Sequence, residues 1–278
     1  MNAKSHLLPC VILAGSLFSN AHAELLNRGG GLIYDTVLNV TWLQDANLAF
    51  TNAPPLPDIC FPGEGGGMEM CFPAPPPDET VGKMSFNEAM AYVENLEYVD
   101  TVRNVTWNDW RLPGMSPIDG VAHNSNFSYD GSTDEGYALT TTNGSNGGWR
   151  DALGNPVSEM GHLFYVSLAN QGLCAPGDSC PPAGLSNVGP FINLEKQFTS
   201  SPNQYWTGTV LGPMEAGYFN FSGGFQGRAD TDGAAGEDFL YVLAVRDGDV
   251  GVVPIPAAAW LFAPCFGLLS LFRRITKK

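Results

Sequence analysis

Apolar and polar positions divide this chain into a short greasy leader, a long mixed region and a greasy tail. The leader runs from Leu7 to Phe18, follows Lys4 and precedes Ala21-His22-Ala23, which is the charge, apolar core and small-residue cleavage site of a secretory signal peptide. Residues 1–23 are therefore expected to be removed, leaving Glu24 as the first mature residue. The alternative is a retained N-terminal anchor, for which the stretch is short against a span of about 20 residues.

In the mixed region the period changes from strand to helix and back. Leu32–Tyr34 and Val40–Leu43, around the polar turn Asp35–Asn39, predict a hairpin. Ser85 opens a helix: its hydroxyl can cap, Glu88 follows three residues later, and Phe86, Ala89, Met90, Val93 and Leu96 share one face. A second helix is predicted from Ser158 or Glu159 to about Ala169, between Pro156 and Gly172, with Met160, Leu163, Phe164 and Leu168 as its buried stripe. QYWTGT, GYFNFSGGFQG and DFLYVLAVRD predict late strands, the middle one turning at Gly223-Gly224. Between residues 52 and 80 Pro and Gly crowd together, which predicts a surface insertion.

In the tail, Ala257–Phe272 carries no charge and Arg273, Arg274, Lys277 and Lys278 follow at once. Residues 257–272 are expected to form a transmembrane helix, with Trp260 at one interface and the basic cluster on the cytoplasmic side. The alternative is a buried C-terminal helix, which Pro264 would kink.

Charge narrows the partners. From Glu24 to Phe272 eight basic residues stand against all 28 acidic ones, a net −20. Such a surface repels nucleic acid and anionic lipid. Cys10 and Cys265 fall in the two greasy ends, leaving Cys60, Cys71, Cys174 and Cys180, an even number that in an exported chain reads as disulfides. Local pairs, Cys60 with Cys71 and Cys174 with Cys180, are favoured by their short loops, and crossed pairings stay open. Neither C-x-x-C nor clustered His accompanies these cysteines, so a zinc site is not indicated.

Candidate chemistry is sparse. There is no G-x-S-x-G, and His123 and His162 stand in no recognisable triad sequence, His162 reading as structural. The oxygen-rich loop with Asp230, Asp232, Glu237 and Asp238 around Gly233 and Gly236 is a candidate calcium site without the EF-hand spacing, the alternative being a solvated loop. Trp206 is a candidate sugar-stacking ring or a core residue. Arg111 is a candidate ligand contact or one half of an internal ion pair with Asp109 or another acid.

Two resemblances are carried by quoted residues. Val253-Pro254-Ile255-Pro256-Ala257, an apolar helix and a terminal Arg-Arg pair resemble the PEP-CTERM class of sorting signals over residues 253–278. That likeness implies processing at the Val253, Pro254, Pro256, Ala257 motif by an exosortase-type enzyme of a Gram-negative bacterium. It also implies an inner-membrane-anchored precursor delivered to the cell surface or extracellular matrix. GLIYDTVLNVTWLQDANLA, MSFNEAMAYVENL, DWRLP, SEMGHLFYVSLAN, YWTGT and LYVLAVRDGDV, in that order, resemble the Lcl C-terminal domain family across nearly all of Gly31 to Val250, within an exported domain expected at 24–250. This likeness implies an α+β, C-type lectin-like domain of the kind found in formylglycine-generating enzymes, with two helices packed on twisted antiparallel sheets. The copper chemistry of those enzymes needs a late cysteine pair, and no cysteine lies between Cys180 and Cys265.

The family's namesake adhesin binds sulfated polysaccharide, which a −20 surface opposes. The function expected is that of an exported, non-enzymatic cell-surface or matrix-associated protein, a carbohydrate- or exopolysaccharide-binding or adhesion module. An enzyme on the same scaffold or a purely structural envelope component are the alternatives.

Overall fold

The computed structural model describes residues 24–52, 59–61, 70–72, 82–139, 147–173, 184–194, 203–231 and 238–251, with 59–61 and 70–72 described as backbone. The leader 1–23, the sorting motif at 253–257 and the expected membrane helix at 257–272 lie outside these residues, as do Cys174, Cys180, Asp232 and Glu237. Among the described residues no helix is long and apolar enough to cross a membrane.

The chain is α+β, mostly sheet with few helices. Strands β1 (Leu25–Gly29), β2 (Leu32–Asp35) and β3 (Val40–Leu43) form an antiparallel meander, followed by the single turn α1 (Leu48–Thr51). A short hairpin, β4 (Ile59–Phe61) and β5 (Met70–Phe72), precedes helix α2 (Phe86–Glu94). A second hairpin, β6 (Tyr98–Asp100) and β7 (Val105–Trp107), leads to the two-residue strands β8 (Phe127–Ser128) and β9 (Glu135–Gly136). Helix α3 (Glu159–His162) continues into a π-helical turn, Leu163–Ser167. Strands β10 (Gln204–Gly212), β11 (Glu215–Asn220), β12 (Phe225–Asp230) and β13 (Val245–Asp247) complete the order. The main sheets run β1-β2-β3-β13 and β10-β11-β12-β9-β8, so the first sheet joins the two ends of the domain.

The expected first hairpin forms with Leu32 opposite Leu43 and Asp35 opposite Val40. Its turn is held by the Asp35 carboxylate, which accepts the Val37 and Leu38 N–H groups at 3.0 and 3.1 Å. Helix α2 starts as its sequence requires: the Glu88 carboxylate accepts both the N–H and the hydroxyl of Ser85 at 2.9 Å. Phe86, Ala89 and Val93 are buried against Trp110 and Trp206 in one core, while a second core gathers Trp42, Trp149, Phe164, Tyr205 and Phe219.

The second helix departs from expectation. Only one α-helical turn forms before the backbone widens, and Leu168 N–H reaches back five residues to the Leu163 carbonyl at 2.9 Å. A regular helix would turn part of Leu163-Phe164-Tyr165 away from the core, whereas the wider turn buries all three. Gly224 permits this packing. Its φ is +76°, and a Cβ there would lie 2.6 Å from both the Phe164 ring and the Tyr165 hydroxyl. The last predicted strand is also shorter than its pattern: Leu240 and Tyr241 make isolated bridges, and only Val245–Asp247 joins a ladder.

In the insertion, Cys60 pairs directly opposite Cys71 in the antiparallel register. Residues so placed have Cα atoms about 4.5–5.5 Å apart, within the span of a disulfide. Peptide mapping of the unreduced chain is expected to recover these two cysteines linked to each other. A free thiol at either position would refute the local staple.

Candidate functional site

Trp206 belongs to the core and is withdrawn as a ligand platform. Its side chain is fully buried, its indole N–H donates to the Met84 carbonyl at 2.8 Å, and the Phe86 ring meets it edge-on at 5.4 Å. Both faces are therefore closed to a sugar. Arg111 is half-exposed and tied to Glu159 by two hydrogen bonds of 2.7 Å, and to Asp247 at 2.6 Å. Donation to the Glu159 carboxylate outweighs burial and holds the guanidinium charged. Arg111 thus makes the internal ion pair expected with Asp109 or another acid, its partners being other acids, while Asp109 pairs with Arg246 at 2.7 Å and Arg246 lies over the Trp107 ring. Arg111 also borders a cleft of about 470 Å³ walled by Met90, Val93, Trp110 and Leu112.

Of the acidic loop, Asp230 and Asp238 are described, and the Asp238 carboxylate accepts the Asp230 N–H at 3.1 Å. His162, the last residue of α3, is buried.

The feature that the sequence did not single out is a face of the five-stranded sheet. Parallel pairing sets Phe127 beside Glu135 and Ser128 beside Gly136, which brings Tyr129 next to Tyr137. Gln226 pairs with Gly136, so alternation carries Phe225 to the same side as Tyr137. On β11, Tyr218 stands opposite Gly227 and extends the row. Five rings result in one contiguous group. Tyr129 and Tyr137 stack at 5.6 Å, Phe127 meets Tyr129 edge-on at 4.7 Å, Tyr137 meets Phe225 at 5.5 Å, and Tyr218 lies 5.9 Å from Phe225.

Phe127 is 53% exposed, and Tyr129, Tyr137, Tyr218 and Phe225 are each partly exposed. An aromatic of this size is ordinarily placed in a core, so solvent-facing rings in mutual contact are a surface suited to binding.

Polar groups border the rings. His123 Nε2 lies 3.0 Å from Glu135 Oε1, and Arg228 reaches both Glu135 and Glu215 at 3.3 Å. Burial pushes the Tyr218 hydroxyl up to about 12, opposed by a hydrogen bond from Gln204 and reinforced by Asp238, Glu135 and Tyr137. Burial and the neighbouring Tyr129 also push Tyr137 up. Both phenols therefore stay neutral in ordinary media and can donate as well as accept hydrogen bonds.

No family model, curated protein or solved structure matches this chain. Aromatic rings at this spacing offer flat π faces to the C–H-rich sides of sugar rings, while the two phenols supply hydrogen bonds at the edge. The F-x-Y alternation at Phe127 and Tyr129 was the available signal. A two-residue strand is too short to be recognised by period, and its parallel partner lies across a turn.

Proposed function

We propose that this chain is an exported, non-catalytic protein that associates with extracellular polysaccharide through the aromatic face of its five-stranded sheet. The observation that carries the reading is the contiguous ring group of exposed Phe127 with partly exposed Tyr129, Tyr137, Phe225 and Tyr218. The likeness to the Lcl C-terminal domain family supports a C-type lectin-like domain, and an α+β chain that is mostly sheet is compatible with it. Delivery rests on the signal peptide at 1–23. The V-P-I-P-A box and the apolar run at 257–272 would hold the precursor in the inner membrane for an exosortase-type enzyme. Asp230 and Asp238, with Asp232 and Glu237, remain the residues proposed to hold calcium.

Binding of the full-length chain to a glycan array, with and without calcium, tests the reading. Stacking worth about 1 kcal/mol for each of two rings predicts that the double variant Phe127→Ala, Tyr137→Ala loses about tenfold to thirtyfold in affinity. Retention unchanged in that variant would remove the aromatic face from the binding site. Turnover of a polymer without retention would replace recognition by catalysis.

A further inference from the structure

Arg111 has no donor left for a ligand. All five of its N–H groups are engaged inside the protein: Nε and Nη2 donate to Asp247, Nη1 and Nη2 to Glu159, and Nη1 also to the Leu112 carbonyl. Two carboxylates against one guanidinium leave this group at −1. The cleft beside it is open and mostly apolar. Met90, Val93 and Glu94 share one face of α2 at spacings of three and four, Trp110 and Leu112 add a second wall, and Gly208 and Thr209 of β10 complete the lining. Its volume of about 470 Å³ lies in the range of small-ligand sites.

The polar side chains of that lining are satisfied with one exception. The Trp110 indole donates to the Trp107 carbonyl at 3.0 Å, and the Thr209 hydroxyl donates to the Met115 carbonyl at 2.8 Å while accepting the Met115 N–H at 3.0 Å. Glu94 has neither a hydrogen bond nor an ion pair through its carboxylate among the described residues. It is the last residue of α2, where the helix dipole favours a positive charge, and no basic residue stands in that last turn.

We propose that this cleft is a second ligand site, separate from the aromatic face, and that it takes an apolar body ending in an ammonium group. The body fills the space among Met90, Val93, Trp110 and Leu112, and the ammonium meets the exposed Glu94 carboxylate. A neutral ligand keeps the apolar contacts alone. An anionic one finds no free N–H on Arg111 and is repelled by Glu94 and by the net charge of the Arg111 group.

Three ligands of similar size separate these contributions: phenylbutylamine, phenylbutanol and phenylbutyrate. Each is titrated against the full-length chain at about pH 7 and low ionic strength while the Met90 methyl resonance is followed. A saturable shift is expected with the amine. The alcohol should bind about fivefold more weakly, the upper end of what an exposed ion pair supplies, and phenylbutyrate more weakly still. Glu94→Gln should bring the amine down to the affinity of the alcohol and leave the alcohol unchanged. By calorimetry, Met90→Ala should weaken amine and alcohol alike, about threefold to fivefold, through lost contact area. Both side chains are exposed, so either variant is expected to melt with the parent.

Equal affinity for amine and alcohol would overturn the charge preference. Tighter binding of phenylbutyrate would overturn it too, by showing that Arg111 releases its internal partners to a ligand. A preference that survives Glu94→Gln would take the ammonium away from this carboxylate. If none of the three ligands moves the Met90 methyl, the cleft is not a binding site. Polysaccharide binding by the aromatic face is independent of every one of these results.

Discussion

Replacing Asp100 by alanine is expected to cost about 3–5 kcal/mol of folding stability, the range for stripping one partner from a buried ion pair. The carboxylate is fully buried and accepts hydrogen bonds from the Val102 and Arg103 N–H groups, the Trp107 indole and Arg103 Nη1, the last at 2.7 Å. Arg103 is itself nearly buried and donates onward to the carbonyls of Arg28 and Gly251. Alanine would leave that guanidinium desolvated without its counter-charge. Burial alone would raise the Asp100 pKa, but the bonds from Arg103, Trp107 and Val102 prevail and hold it below the usual carboxylate value.

Its stabilisation is therefore complete above the unfolded value near 4 and is lost as pH falls through the lower folded value. Urea unfolding at pH 7 measures the effect. A midpoint equal to that of the parent would show that Arg103 finds adequate partners elsewhere. Asparagine, which keeps an acceptor, should lie between parent and alanine.

The second large effect is an acid-sensitive slope from His162. Its ring is buried, and among the described residues neither ring nitrogen meets a hydrogen-bond partner. Burial lowers its pKa to about 4, with Asp35 opposing and Arg150 reinforcing. The unfolded chain, with a histidine near 6.5, then binds more protons than the folded one between these two values. Stability is thus full above about pH 6.5, falls as pH drops and levels off near pH 4.

By pH 5 the loss is of order 2 kcal/mol, or about 4–8 °C in melting temperature for a domain of this size. The window from pH 6.5 to 5 is informative because ordinary carboxylates contribute little there. His162→Met, similar in volume and without polar atoms, should be close to neutral at pH 7 and should flatten the slope. A slope that survives this substitution would assign the acid sensitivity to another group.

Local signals were legible where one element decides the outcome. The first hairpin and the start of α2 follow from alternation and from Ser85 with Glu88, since both depend on residues within a few positions of each other. The π turn was not legible. Its cause is tertiary: Leu163, Phe164 and Tyr165 meet core on every side, and Gly224, about sixty residues away, makes room for two of the rings. The ion pairs divide in the same way. Arg111 was expected to take an acid, but its partners, Glu159 and Asp247, are brought to it by α3 and β13.

Trp206 and the aromatic face exchanged roles for one reason. Exposure of a ring depends on what covers the sheet: α2 covers Trp206, while Tyr137 and Phe127 keep an open side. Composition carries no record of that difference.

The clamp around Arg103 has a further consequence. Arg28, near the start of the domain, bonds Asp249 near its end at 2.9 Å, and Arg103 holds the carbonyls of both Arg28 and Gly251. Entry and exit of the polypeptide therefore share one corner. A unit threaded this way can be spliced into a loop of another protein, or strung between a leader and a tether, without prying its neighbours apart. Evolution can transplant it whole, as a cassette.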